Sequence, residues 1–209
     1  ITIDDILDII EEENEEDFAK MNALAPSDEE YLDSSVYSLA KQRIMWLLIL
    51  MISATFTGII IRQYESVLSS VVILASFIPM LMDTGGNSGS QSSTLIIRGL
   101  ALGELEIADY PKILWKEFRV SIVVGLVLAF INFLRIYLLE RVDFIVSLTV
   151  CISLFATVVL AKVVGGMLPL IAKKFKLDPA IMAAPLVTTI VDTFALMVYF
   201  STASLLMGL

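Results

Sequence analysis

Long runs of apolar side chains are the feature that most limits what this chain can fold into. A transmembrane helix needs about 20 consecutive, mainly apolar residues, and the 209-residue sequence offers several such runs. Hydrophobic residues make up 57% of the chain, against ~45–50% in a soluble domain. We therefore predict an all-α membrane protein with five transmembrane helices. The predicted spans cover about 43–62, 67–97, 118–139, 143–172 and 179–207.

Charge divides the sequence into two parts. Residues 1–33 hold thirteen of the twenty-three acids and one of the fourteen bases, so residues 34–209 carry ten acids and thirteen bases. We predict an acidic soluble segment over 1–33 and a membrane domain over 34–209. The expected surroundings are membrane lipid, and no nucleic acid partner is expected. The chain has no histidine, which removes His-ligated metals and Ser-His or Cys-His nucleophile pairs.

The acidic segment has the pattern of an amphipathic helix. Ile3, Ile6 and Leu7 recur at helical spacing with carboxylates between them, and Pro26 is expected to end the helix. Ser27, with a glutamate three residues later, forms a capping-box pattern that predicts a second helix leading into the first span.

The distribution of basic residues predicts the orientation in the membrane, because Lys and Arg collect on the cytoplasmic ends of short connections. A cytoplasmic N-terminus places nine bases on the cytoplasmic side, namely Lys41, Arg43, Arg98, Lys112, Lys116, Arg119, Lys173, Lys174 and Lys176. The opposite side then receives only Arg62, Arg135 and Arg141. With five spans, the C-terminus is predicted to lie outside.

The second predicted span contains the polar segment "MDTGGNSGSQSS" at 82–93. In a helix, Asp83, Asn87 and Gln91 line one face, which must look into the bundle, another subunit or a water-filled path, because lipid cannot pair with it. Pro79 is expected to remove one helical hydrogen bond just before. The alternatives are a cytoplasmic loop or close packing of small residues between helices. Three glycines would allow another helix to approach closely, the fifth in particular: Gly85, Gly86 and Gly89. We predict that these glycines line the path together with the three polar residues.

Asp192 is the only ionisable residue of the last apolar run after Asp178. Its position in the run predicts a depth near the middle of the membrane, where a charge normally faces an ion or a proton path. Thr188 and Thr189 lie about one turn before it, and such oxygen ligands suit a hard cation such as Mg²⁺ or Ca²⁺. The alternative is a packing residue with a hydrogen-bond partner.

Lys162 lies within the fourth predicted span. A charged residue at this depth needs a partner or a route to the interface. Two interpretations are open: Lys162 pairs with an acid, or a tilted helix lets it reach the membrane surface.

Four stretches together resemble the MgtE family of magnesium channels. "PMLMDTGGNSGSQSSTLIIRGLALGEL" resembles the second membrane helix of that family, and "DPAIMAAPLVTTIVDTFALMVYF" resembles its fifth. "SVYSLAKQRIMWL" matches the approach to the first span, and "TIDDILDIIEEENEEDFAKMNAL" resembles the end of a CBS domain running into the plug helix.

The resemblance implies a homodimer in the cell membrane, with five helices per subunit. Helices 2 and 5 would line the pore, and Asp192 would hold a hydrated Mg²⁺ as the transported ion. Ala184 and Thr188 stand where the family has Asn and Ala, so the ion coordination is expected to differ in detail. Acids of the first segment are candidates for a regulatory metal site, the alternative being a solvated face: Asp17, Asp28, Glu29, Glu30 and Asp33.

The leading functional hypothesis is magnesium transport through a dimeric pore, driven by the electrochemical gradient. An intramembrane aspartyl protease using Asp83 and Asp192 is an alternative, although no Gly-x-Gly-Asp motif surrounds either residue. A proton-coupled divalent cation exchanger and a membrane anchor for soluble domains are further alternatives. The prediction is a transporter and not an enzyme.

Overall fold

The computed structural model describes residues 2–22, 24, 32–182 and 184–208. Every regular element in these ranges is helical, which confirms the all-α class. The α-helices are α1 (Ile3–Met21), α2 (Val36–Gln63), α3 (Glu65–Ser70), α4 (Ile78–Ala101), α5 (Tyr110–Leu134), α6 (Phe144–Lys174) and α7 (Ala184–Met207).

Within the described ranges, four helical segments are long and apolar enough to cross a membrane. They are Val36–Gln63, Ile107–Leu139, Phe144–Lys174 and Pro179–Met207. The 24 residues of α4 would reach about 36 Å, but their polar side chains keep this helix out of that group. The structure thus confirms a helical membrane protein, while the count of five spans and the orientation remain predictions.

The chain enters α4 through an irregular segment and not through one continuous helix from residue 67. The short helix α3 is followed by a 3-10 segment over Val72–Phe77, and α4 begins at Ile78. The Tyr199 hydroxyl holds this segment by donating a hydrogen bond to the Leu74 carbonyl at 2.9 Å. Pro79 lies in the first turn of α4, where no helical hydrogen bond is lost, so the predicted loss of a bond at Pro79 was wrong.

The acidic segment forms α1, and α2 begins only at Val36. Ser35 caps α2, because its side-chain oxygen accepts a hydrogen bond from the Ser38 amide at 3.1 Å. The residues just before, 32–34, form a turn and a bend. The cap predicted at Ser27 lies outside the described residues.

Three helices, α4, α6 and α7, pack against one another at the centre of the bundle, while α5 covers α6 and α2 contacts α7. One apolar cluster fills the end where α2 finishes and α6 begins, and includes Leu74, Phe77 and Phe200. A second cluster lies at the other end, around Ile96 and Leu170. We call this second end the basic end, because most of the lysines and arginines surround it.

Candidate functional site

A row of polar side chains follows one face of α4. Asp83, Asn87 and Gln91 are four residues apart and exposed, and Thr94 and Arg98 continue the exposed row to the basic end. Because the whole segment is helical, the alternative of a cytoplasmic loop was wrong. The other described residues of the chain do not cover this row.

The glycines of α4 lie on its buried side, away from that row. A Cβ added at Gly85 would come within 2.8 Å of the Thr157 side chain on α6, and one at Gly86 within 2.8 Å of Thr188 on α7. At Gly89 it would meet both neighbouring helices. These positions therefore serve close packing against α6 and α7, whereas the sequence had grouped them with the pore-lining residues.

Asp192 lies on α7, half-buried within a membrane-spanning segment. Asp83 of the α4 row is close enough to interact with it electrostatically. Among the described residues no hydrogen bond or ion pair reaches the Asp192 carboxylate, so the alternative of a hydrogen-bonded packing residue finds no partner there. A buried carboxylate without a protein partner is costly and is typical of an ion path.

The two threonines before Asp192 each use their proton within α7. Thr188 and Thr189 donate hydrogen bonds to the Pro185 carbonyl at 3.0 and 2.9 Å. Their hydroxyl oxygens retain lone pairs that can accept hydrogen bonds from water or contact a cation. Ala184 is the first residue of α7, and its side chain lies outside the described set.

The described residues of one chain do not form a complete metal cage. In the portion of the chain that the structure describes, no three acidic or cysteine side chains converge. The two interacting carboxylates, Asp83 and Asp192, therefore leave the remaining ligands of a hard cation to water or to a second subunit.

The environment of Lys162 in the structure agrees with neither interpretation of the sequence. Its side chain is buried and donates a hydrogen bond to the amide oxygen of Gln91 at 3.5 Å. Neither an acid nor the membrane surface is the partner of its ammonium group in the described structure. Lys162 of α6 thus contacts the polar row of α4 at Gln91.

Glu117 is a half-buried acid that sequence reasoning overlooked. It lies on α5 and accepts a hydrogen bond from the buried Ser92 hydroxyl of α4 at 2.6 Å. The neighbouring Ser93 donates to the Met182 carbonyl at 2.5 Å. The signal available was a lone acid among the bases Lys112, Lys116 and Arg119, which their role in orientation obscured.

The acidic segment contacts the bundle at the basic end. Lys20 of α1 forms ion pairs with Asp178 at 2.6 Å and with Glu16 at 2.5 Å. A cavity of about 650 Å³ lies beside this contact, between α1 and the ends of α4 and α6. Of the predicted regulatory acids, Asp17 lines this cavity and Asp33 lies exposed in a turn. The others, Asp28, Glu29 and Glu30, lie outside the described residues.

The charges at this contact shift one another's pKa. Burial raises the pKa of Asp178, but the hydrogen bonds from Lys20 and from the Ala180 amide outweigh it, and the net shift is downward. Hydrogen bonds from Lys20 to Asp178 and Glu16 raise the pKa of Lys20. Burial, followed by the charge of Asp178, raises the pKa of Asp17. The Lys20–Asp178 pair therefore stabilises docking of α1, whereas ionised Asp17 opposes it.

Changing Asp178 to asparagine is expected to loosen α1. Loss of a partly exposed ion pair should increase amide exchange in α1 by about two- to fivefold, because most of the stability of a helix in a protein comes from its packing against the rest of the molecule. Hydrogen-exchange mass spectrometry at neutral pH measures the change. Asp17→Asn is the matched control, since removing that charge relieves repulsion with Asp178 and should leave exchange unchanged or slower. Equal protection in Asp178→Asn and wild type would contradict this role.

The pH dependence of α1 docking follows from the same shifts. Because the pKa of Asp178 is lowered, its contribution is present above the ordinary value of 3.8 and is lost as the pH falls below it. Because the pKa of Lys20 is raised, its contribution is lost only as the pH rises beyond the ordinary 10.5. The Lys20–Asp178 pair is therefore expected to stabilise docking between these two limits, and ionisation of Asp17 weakens docking as the pH rises through its raised pKa.

Comparison with known proteins gives consistent matches. The model of the MgtE family, described as a divalent cation transporter, matches residues 78–202. The chain is 38% identical over 212 residues to the magnesium transporter MgtE of Thermus thermophilus, covering 99% of this chain and 46% of that protein. It is 34% identical over 204 residues to the magnesium transporter MgtE of Bacillus subtilis, covering 98% and 45%. The chain thus spans about half the length of the curated relatives it matches.

Proposed function

Because this chain belongs to the MgtE family of divalent cation transporters, we propose that it forms the membrane pore of a magnesium transporter. The family is one of membrane transporters and not of enzymes, which argues against the aspartyl protease alternative. The proposed path runs along the polar row of α4 and past Asp192 of α7.

One observation carries this proposal: Asp192 is a half-buried carboxylate in a membrane-spanning segment with no hydrogen-bond or ion-pair partner among the described residues. Asp83 adds a second carboxylate nearby. Thr188 and Thr189 add hydroxyl oxygens one turn away. Carboxylates and hydroxyls suit Mg²⁺, which keeps much of its water shell and touches few protein oxygens directly.

A homodimer would complete the pathway. The described residues of one chain supply too few ligands for a hard cation, and the α4 row is exposed. A two-fold axis beside this row would bring a second Asp192 to the same ion and remove the polar face from lipid. In this arrangement α4 is the fifth membrane-spanning helix, and the partner subunit covers its polar face.

Uptake by reconstituted vesicles tests the proposal and separates a channel from an exchanger. A channel should take up Mg²⁺ in proportion to its gradient and to an imposed potential, worth about 2.3 kcal/mol per charge per 100 mV. Equal pH on both sides should not reduce this flux. Empty vesicles are the control. Flux that requires a pH gradient would support the proton-coupled exchanger, and absence of flux would support the membrane-anchor alternative.

A further inference from the structure

Lys162 is the one charged side chain among the buried residues of the described structure, with only 5% of its surface exposed. It lies in α6, inside a membrane-spanning segment. No carboxylate of the described residues forms an ion pair with it. An unpaired ammonium group is costly at such a position, so packing alone does not explain it.

Close packing of α4 and α6 brings Lys162 next to the polar row of α4, on the side of α4 that faces α6. α4 and α6 approach each other closely at Gly89 and Gly165, where an added Cβ on Gly165 would overlap the Gly89 carbonyl. Gln91 lies two residues after Gly89, and Lys162 three before Gly165. The ammonium group reaches the amide oxygen of Gln91 at 3.5 Å.

This contact changes what Gln91 offers to a hydrated cation. Water bound to a cation turns its hydrogens outward and needs acceptor oxygens, which Asp83 and Asp192 provide. The amide oxygen of Gln91 already accepts from Lys162, which leaves it one lone pair beside the two NH₂ hydrogens, and a fixed positive charge lies next to it. A cation is therefore bound less tightly beside Gln91 than beside the two aspartates.

We propose that Lys162 is a positioning residue that fixes the Gln91 amide and keeps this level of the pathway free of bound cation. A divalent ion held near Asp83 and Asp192 then passes Gln91 without being trapped and leaves toward Arg98. This inference rests on the proposed function and assigns to Lys162 the release of the ion.

Lys162→Met tests the inference, because methionine keeps the length of the side chain and removes the charge. The half-saturating Mg²⁺ concentration for uptake should fall by about four- to tenfold, the range that Coulomb's law gives for one charge near a divalent ion in a partly hydrated site. The maximal rate should fall as well, since the ion is released more slowly. Lys162→Arg keeps the charge and should stay close to wild type.

Lys174→Met is the matched control, because it removes the same charge from the exposed end of the same helix. It should leave the half-saturating concentration unchanged. If Lys162→Met folds to the same level with an unchanged or higher half-saturating concentration, the residue is only structural and the inference is overturned. Lys162→Gln serves the same purpose if the methionine variant folds poorly.

Calorimetric titration of Mg²⁺ into the same variants in detergent measures affinity without conduction. Lys162→Met should bind Mg²⁺ more tightly by the same factor, and the arginine variant should match wild type. Equal affinity in the methionine variant would overturn the inference. If wild type failed to transport Mg²⁺, the proposed function would fall, and the titration would still decide the role of Lys162.

Discussion

Replacing Asp192 with alanine is expected to lower Mg²⁺ uptake by the reconstituted chain by about tenfold or more, since a contact with a charged group is worth more than about 1.4 kcal/mol. In the proposed dimer the change would remove two carboxylates from one ion. Asp83 remains, but it lies on the exposed row of α4. Its carboxylate is more exposed to water than that of Asp192, so it attracts a cation less strongly. Uptake is compared at equal protein content in the vesicles.

Stability separates this role from a structural one. Asp192 has no protein partner among the described residues, so alanine leaves no group unpaired and lifts the cost of a half-buried charge. We therefore expect Asp192→Ala to unfold no more easily than wild type while losing flux, and Asp192→Asn to behave similarly. Glu104→Gln, in the exposed loop after α4, removes an equal charge and should leave uptake unchanged. Flux at the wild-type level in both Asp192 variants would contradict the assignment of Asp192 as the ion-binding residue.

The sequence predicted the polar row of α4 because helical periodicity alone sets its geometry. Residues four apart share a face whatever surrounds the helix, so Asp83, Asn87 and Gln91 form a row in the structure as expected. Intrinsic preference would have suggested otherwise, since glycine, serine and asparagine are poor helix formers in this segment. Length and the apolar flanks were the better guides, because packing against α6 and α7 decides the conformation.

Contacts between residues far apart in the chain could not be predicted from the sequence. Lys162 and Gln91 are 71 residues apart, and Lys20 and Asp178 are 158 apart. Each contact depends on how two helices are rotated and how far they slide along each other, and periodicity fixes neither quantity. The same holds for the α4 glycines: their small size predicted a close neighbour, while their direction toward both α6 and α7 required the structure.

Changing Gly165 to valine is expected to cause a large loss of stability. The Cβ would overlap the Gly89 carbonyl and lie 2.8 Å from the Gly89 Cα. Because these are backbone atoms, no side chain can turn aside, and α4 and α6 must separate. Overpacking of this kind costs about 1–3 kcal/mol or more, which outweighs the small gain in helix propensity of valine over glycine. Thermal or denaturant unfolding in detergent measures the loss.

The alanine pair Gly165→Ala and Gly58→Ala isolates the steric cause. Alanine favours a helix over glycine by about 1 kcal/mol at both positions. At Gly58 of α2 the nearest atom to an added Cβ is 3.9 Å away, on the Arg62 side chain, so this variant should be as stable as wild type or more stable. At Gly165 the overlap outweighs the helical gain, and stability should fall. Equal stability of the two variants would mean that α4 and α6 are not held together at this point. The contact of Lys162 with Gln91 depends on the same approach, so separating the helices should also remove the lysine from behind the polar row.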